Sequence, residues 1–269
     1  MSGPLINMRD ARRIWVGPSE AQRLWVGAGA SWSKPDAAGY SPKDLFLSAD
    51  DGFWYDFTDG AAVFQDAARS SLAANGQEIY GIQDKSDNGH HGAVTGGPAP
   101  KWYASGYADF LGNNAQQFVS GFVNGPTSTM IVAYRSTASV SGVLCGSSAA
   151  NPRWYVQQRG TATVRFGLGG ANQEYTGNNH TVGNVAIMGY DPANTNGWRQ
   201  LGRLNGVDHL RSTATTSIQN GDIHVGATSG SSLGYQCTAQ LVHAICINRA
   251  LTDAELGSLD SYLSAAMGL

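Results

Sequence analysis

The chain has 269 residues, long for an average domain yet within the range of a single all-β unit. Hydrophobic residues make up 42% of it and charged residues only 14%, against about 25% charged in ordinary soluble domains. That apolar content excludes disorder, and a net charge of −3 excludes a chain-wide basic field for nucleic acid.

Charge is uneven along the chain. Residues 1–35 hold five basic residues against two acidic ones, a local +3 that leaves −6 for the rest. Docking onto an acidic partner and plain chance both account for this. The same segment repeats itself: Arg13-Ile14-Trp15-Val16-Gly17 returns as Arg23-Leu24-Trp25-Val26-Gly27, with Trp32 beyond. Each copy reads as a strand ending in a turn. A two-stranded hairpin has no core of its own, so its tryptophans need cover from another surface. Trp15, Val16, Trp25, Val26 and Trp32 are therefore the expected contacts of an oligomerising or docking anchor. Its boundary is placed at residue 35, before a body spanning 36–269.

The body shows short β-prone runs between Gly-, Asn- and Pro-containing turns. Strands are expected at Leu45–Ser48, Gln116–Ser120, Thr129–Arg135, Trp154–Gln158, Thr163–Leu168, Asn184–Tyr190, Arg199–Leu204, Asp222–Gly226 and Gln240–Ile247. This spacing points to an all-β, antiparallel β-sandwich or jelly roll. Gln240–Ile247 is nearly all apolar and should be buried on both faces, with His243 a core histidine. A helix is expected at 252–266. Thr252 and Glu255 form a capping box, Leu251 and Leu256 a hydrophobic staple, and Leu256, Leu259 and Leu263 one apolar face. Cys145, Cys237 and Cys246 have neither partner spacing nor ligand spacing, so buried free thiols are expected. The sequence shows no signal-peptide-like start and no 18-residue apolar stretch, so no membrane insertion is expected, and synthesis in a cytoplasm is.

Three clusters carry candidate chemistry. Trp54-Tyr55, Trp102-Tyr103 and Trp154-Tyr155 are aromatic pairs; on a strand, neighbours face opposite sides, so one ring of each pair can face a sugar. Asp50, Asp51, Asp56 and Asp59 flank the first pair, either as an acidic rim or as a solvated loop with its aromatics turned inward. In the Asp84–Gly92 loop, Asp84, Asp87 and Asn88 offer oxygens for calcium; the alternative, preferred here, is a turn held by side-chain bonds to backbone N–H groups. Adjacent His90 and His91 point apart and lack zinc-ligand partners. Retaining glycan hydrolysis needs two close carboxyl groups. The four glutamates, Glu20, Glu78, Glu174 and Glu255, form no E-x-D-x-E pattern. No hydrolase elbow or metalloprotease motif occurs either, so the chain is read as a non-enzyme.

Two runs resemble a known family. Val63-Phe64-Gln65-Asp66-Ala67-Ala68 leading to Asp84-Lys85-Ser86-Asp87-Asn88-Gly89-His90-His91-Gly92, and Asn248-Arg249-Ala250-Leu251-Thr252-Asp253-Ala254-Glu255-Leu256 with Tyr262-Leu263, are similar to the laminin-G-like, concanavalin-A-like jelly rolls of phage and prophage tail proteins. The N-terminal repeat resembles a leader found on some tail components. Asp87 and His90 depart from the family's Gly and Asn. The resemblance implies a concanavalin-A-like sandwich in a virion tail, fibre or spike. Other virion proteins would bind residues 1–35, host cell-surface polysaccharide would be the ligand, and homo-oligomers would form in the particle. It implies no cofactor other than calcium. A structural or decoration protein without a glycan ligand is the alternative, and a glycan depolymerase the third.

Overall fold

The computed structural model describes residues 23–25, 31–33, 39–46, 50–94, 98–112, 116–136, 141–148, 154–160, 162–168, 171–176, 182–214, 216–227 and 237–269. The chain divides into two compact units, Met1–Tyr40 and Ser41–Leu269. In the first, strands β1 (Arg23–Trp25) and β2 (Ser31–Ser33) pair antiparallel, with Leu24 opposite Trp32. The second copy of the repeat thus pairs with the Trp32 segment. Trp15, Val16 and Val26 lie outside the described residues.

The second unit is a sandwich of two antiparallel sheets with one helix. Its strands are β3 (Gly52–Asp56), β4 (Val63–Phe64), β5 (Gly81–Ile82), β6 (Gly92–Val94), β7 (Lys101–Tyr103), β8 (Tyr107–Leu111), β9 (Phe118–Val123) and β10 (Ser128–Ser136). They continue with β11 (Gly142–Ser147), β12 (Trp154–Arg159), β13 (Thr163–Leu168), β14 (Ala171–Thr176), β15 (Asn184–Tyr190), β16 (Gln200–Leu204), β17 (Val207–Ser212), β18 (Asp222–Val225) and β19 (Thr238–Ile247). One sheet runs β17-β16-β15-β10-β19-β8-β7, with β3 also paired to β19; the other runs β14-β13-β12-β11-β18-β9-β6-β5-β4.

Inward residues of both sheets form one core. Met130, Val132 and Tyr134 from β10, Phe53 and Tyr55 from β3, and Ala244 and Cys246 from β19 meet Phe118, Phe122, Trp154, Val156 and Phe166 of the other sheet. Helix α1 (Asp253–Met267) lies on β10, β15 and β19. Their outward residues Ile131, Val185, Ile187, Ile245 and Ile247 are therefore buried too, as are Leu256, Leu259 and Leu263 of the helix. This explains why β10, β15 and β19 read as continuous apolar runs. The helix begins as its sequence dictates. Thr252 Oγ1 accepts from the Glu255 N–H, and the Thr252 N–H donates to Glu255 Oε2 at 2.7 Å. All three cysteines are buried free thiols.

One expected strand is corrected. Leu45 and Phe46 end a 3-10 turn, Pro42–Phe46, instead of opening a strand. The Ser41 N–H donates to Asp44 Oδ2 and the Asp44 N–H to the Ser41 carbonyl, and this local bonding closes the turn. The edge and interior strands β3, β7, β8, β11, β14 and β17 were not legible as runs.

Both resembling motifs are structural nodes. Arg249 donates to Asp50 Oδ2, to the Leu45 carbonyl and to both carboxylate oxygens of Glu255. Asn248 Oδ1 accepts from Ser128 Oγ and from the Gly125 N–H. Asp84 Oδ1 accepts from the Trp54 and Ser86 N–H groups, and Oδ2 from the His90 N–H and Ser86 Oγ.

Candidate functional site

On the outer face of the first sheet, at the C-terminal end of α1, lies a cleft of about 200 Å³. Thr58, the Ala104–Gly106 turn, Tyr107, Arg135, Gln240 and Val242 contribute to its walls, with Ala266 of the helix. Strand register assembles it. Arg135 stands opposite Gln240, Gln240 opposite Asp109, and Asp109 opposite Lys101, a row across four strands. Tyr107 and Tyr103 pair across β7 and β8, and their rings stack with centroids 5.1 Å apart. The β7–β8 turn closes with the Gly106 N–H donating to the Tyr103 carbonyl. Gly106 has φ +93°, and a Cβ there would lie 3.3 Å from Thr58 Cγ2. Glycine thus lets the turn close against Thr58.

Arg135 donates from Nη2 to the Met267 carbonyl at 2.7 Å. A cation at the last carbonyls of a helix is favourable in its own right. It also fixes the guanidinium at the cleft wall.

Thr58 is held from behind. Its N–H and Oγ1 both donate to Asp56 Oδ1, at 2.9 and 2.6 Å. Lys85 Nζ reaches Asp56 Oδ2 at 3.2 Å and Asp59 Oδ2 at 2.9 Å, and sits 5.0 Å over the Trp54 ring. The Lys85 hydrogen bond is the main reason the Asp59 carboxyl lies below its ordinary value. Burial opposes the Lys85 charge, but its two carboxylate partners outweigh this and raise its pKa. His243 Nδ1 lies 3.4 Å from both Trp54 Nε1 and Asp56 Oδ1. Burial pushes its pKa down to about 4. With 1% exposure, His243 does not open onto the cleft as an acid or base would need to.

The sequence-predicted site residues do not converge. Trp54, Tyr55, Trp102 and Trp154 are buried at 4%, 0%, 7% and 0% exposure, so none offers a ring face to a ligand. Trp102 and Trp154 follow the expected alternation, one ring in and its neighbour out. In β3 both neighbours are buried, because the outward Trp54 is covered by Tyr262 of α1, edge-on at 6.5 Å. Tyr103 and Tyr155 are half-buried, on different sheets. Tyr103 backs the cleft. Tyr155 lies over Gly167 and donates to Asn172 Oδ1. The acidic residues around Phe53-Trp54-Tyr55 are engaged: Asp50 with Arg249, Asp51 with His90, and Asp56 and Asp59 with Lys85.

The proposed calcium ligands point elsewhere. All four bonds to Asp84 come from donors, which is anion satisfaction rather than cation coordination. Exposed Asp87 pairs with Lys43. Asn88 uses its Nδ2 donor on the Asp50 and Gly52 carbonyls. The loop is a turn, and no group of three metal-binding side chains occurs among the described residues. Of the glutamates, Glu78 accepts from Tyr80, Glu174 meets Arg159 and Arg165, and Glu255 caps α1. Glu20 lies outside the described residues. Among these residues, no helix is long and apolar enough to cross a membrane.

Thr58, Tyr107, Arg135 and Gln240 were not singled out from sequence. No family model and no curated protein matches the chain. Solved structures do. A Trypanosoma rangeli sialidase in complex with sialic acid superposes with a TM-score of 0.52 at 12% identity, covering 92% of this chain and 36% of that one. Botulinum neurotoxin type C, whose cell entry is dependent upon interaction with two ganglioside molecules, superposes with a TM-score of 0.50 at 8% identity, covering 68% and 48%. The chain thus spans about a third and about half of these proteins. At such identities the likeness shows a shared fold, the β-sandwich.

Proposed function

We propose that this chain is a glycan-binding β-sandwich that holds a sugar in the Tyr107–Arg135–Gln240 cleft without cleaving it. The cleft carries the reading. It offers an aromatic ring, an amide, a hydroxyl and a guanidinium around a space suited to one pyranose ring, the mixture that sugar recognition uses. The solved structures of like fold, one a sialidase with sialic acid bound and one a toxin dependent on gangliosides for entry, are in keeping with it. The commitment of Glu78, Glu174 and Glu255 to structural bonds supports binding over hydrolysis. A glycan array probed with the wild type and with Tyr107→Ala tests the reading. Binding that Tyr107→Ala removes, with no reducing ends released over time, supports it. Sustained release of reducing ends would make the chain a depolymerase.

The biological setting is proposed from the motif resemblance alone: a component of a phage virion, in tail, fibre or spike, made in the host cytoplasm. Residues 1–35 attach it to other virion proteins or to further copies, and host polysaccharide is the ligand. A 36–269 fragment should then stay monomeric and keep its sugar binding, while the full chain assembles. Assembly by the fragment would refute this role for the N-terminal segment.

A further inference from the structure

We infer that the cleft selects an acidic sugar and reads its carboxylate through Arg135. This rests on the glycan-binding reading of the same site and adds the ligand's charge to it.

Of the described arginines, Arg159, Arg165, Arg203, Arg211 and Arg249 each meet a carboxylate, while Arg69 and Arg199 meet none among the described residues and do not line the cleft. Arg135 meets none among the described residues. Among the described residues, the hydrogen bond it makes goes to a neutral carbonyl, that of Met267. The bond orients the side chain but leaves its full charge, and most of its five N–H donors, at the cleft wall. A half-buried guanidinium without a counter-ion is a costly arrangement unless an anion arrives to complete it. A carboxylate does so with two parallel N–H···O bonds.

The neighbouring charges fit this assignment. Two acids stand near the cleft: Asp56, bonded to Thr58 and paired with Lys85, and Asp109, two strands from Arg135, with Gln240 between them and Lys101 on its far side. Burial raises the Asp109 pKa, and the nearby Lys101 charge opposes that rise. A carboxylate on Arg135 leaves Gln240 and Thr58 for hydroxyls and Tyr107 for the ring face. A neutral sugar could use these three groups but would leave the guanidinium desolvated and unpaired.

The test is a ligand-observed and protein-observed NMR titration of the full chain with methyl β-glucuronide, methyl β-glucoside, N-acetylneuraminic acid and its methyl ester. At least one acid should bind on the order of tenfold more tightly than its uncharged counterpart. Arg135→Gln should erase that difference, and Arg135→Lys, which keeps the charge and the helix-end bond but not the fork, should retain part of it. Thermal melts of both variants separate lost binding from lost folding. Equal binding of acid and neutral sugar, with Tyr107→Ala abolishing both, would overturn the charge assignment and leave the glycan reading standing. No saturable perturbation of the cleft by any of the four sugars would overturn both.

Discussion

Trp102 donates its indole N–H to the carbonyl oxygen of Phe57 at 2.8 Å. That bond ties the β7–β8 hairpin, which carries Tyr103 and Tyr107, to the turn that follows β3, which carries Thr58. One wall of the cleft is thereby registered against another by a buried side chain that touches no ligand.

Trp102→Phe should therefore destabilise the protein by about 1–3 kcal/mol, since it leaves the Phe57 carbonyl without its donor in the interior and opens space beside Gly60. Denaturant unfolding measures the loss. A variant as stable as wild type would show that the bond does not hold the hairpin.

The capping box of Thr252 and Glu255 was readable because its chemistry is confined to four consecutive residues. The Asp84 turn was readable from its own run of Asp, Ser and Asn, although its carboxylate also reaches the Trp54 N–H, and β10, β15 and β19 were readable from apolar runs buried under both the core and α1. The cleft was not readable, for a physical reason. Thr58, Tyr107, Arg135 and Gln240 come from four segments, and Arg135 faces Gln240 only because the β10–β19 register shifts between Ala133 and Tyr134. A bulge leaves no mark in composition or periodicity. The aromatic pairs misled for a related reason: alternation puts one ring of a pair inward but does not tell whether the other side of the sheet is covered, and at Trp54 the helix covers it.

His243 makes stability depend on pH. Its folded-state pKa is pushed down to about 4 by burial, whereas an unfolded histidine titrates near 6.5. The unfolded chain binds the proton first, so stability is highest above about pH 6.5 and falls as pH drops toward 4. A gap of that size corresponds to roughly 3 kcal/mol as an upper figure. Chemical unfolding at pH 7, 5.5 and 4.5 should show the decline, and His243→Gln should flatten it. His91 and His224, also lowered mainly by burial, keep part of the slope in the variant. An identical slope in wild type and variant would remove His243 from the account.

Asp84 should behave as a turn anchor and not as a metal ligand. Its carboxylate accepts four hydrogen bonds, including the Trp54 and His90 N–H groups. Asp84→Ala leaves these donors unsatisfied, and a loss of about 2–4 kcal/mol is expected. EDTA should leave the wild-type melting temperature where it is. A drop of many degrees on chelation, absent in Asp84→Ala, would restore calcium to the loop.

Gly106 offers a separate handle on the cleft. Its φ of +93° disfavours any side chain, and a Cβ there would press on Thr58 Cγ2 at 3.3 Å. Gly160, between β12 and β13, has φ +60° with nothing within 4 Å of its Cβ position. Gly106→Ala and Gly160→Ala should therefore both lose about 1–2 kcal/mol from backbone strain. Only the first should move the Ala104–Gly106 turn away from Thr58 and weaken sugar binding. Comparing the two by thermal melts and by the same sugar titration separates strain from cleft geometry. Equal binding by both variants would mean that the turn does not shape the site. A binding loss confined to Gly106→Ala, at matched stability, would place the contact between the turn and Thr58 at the ligand.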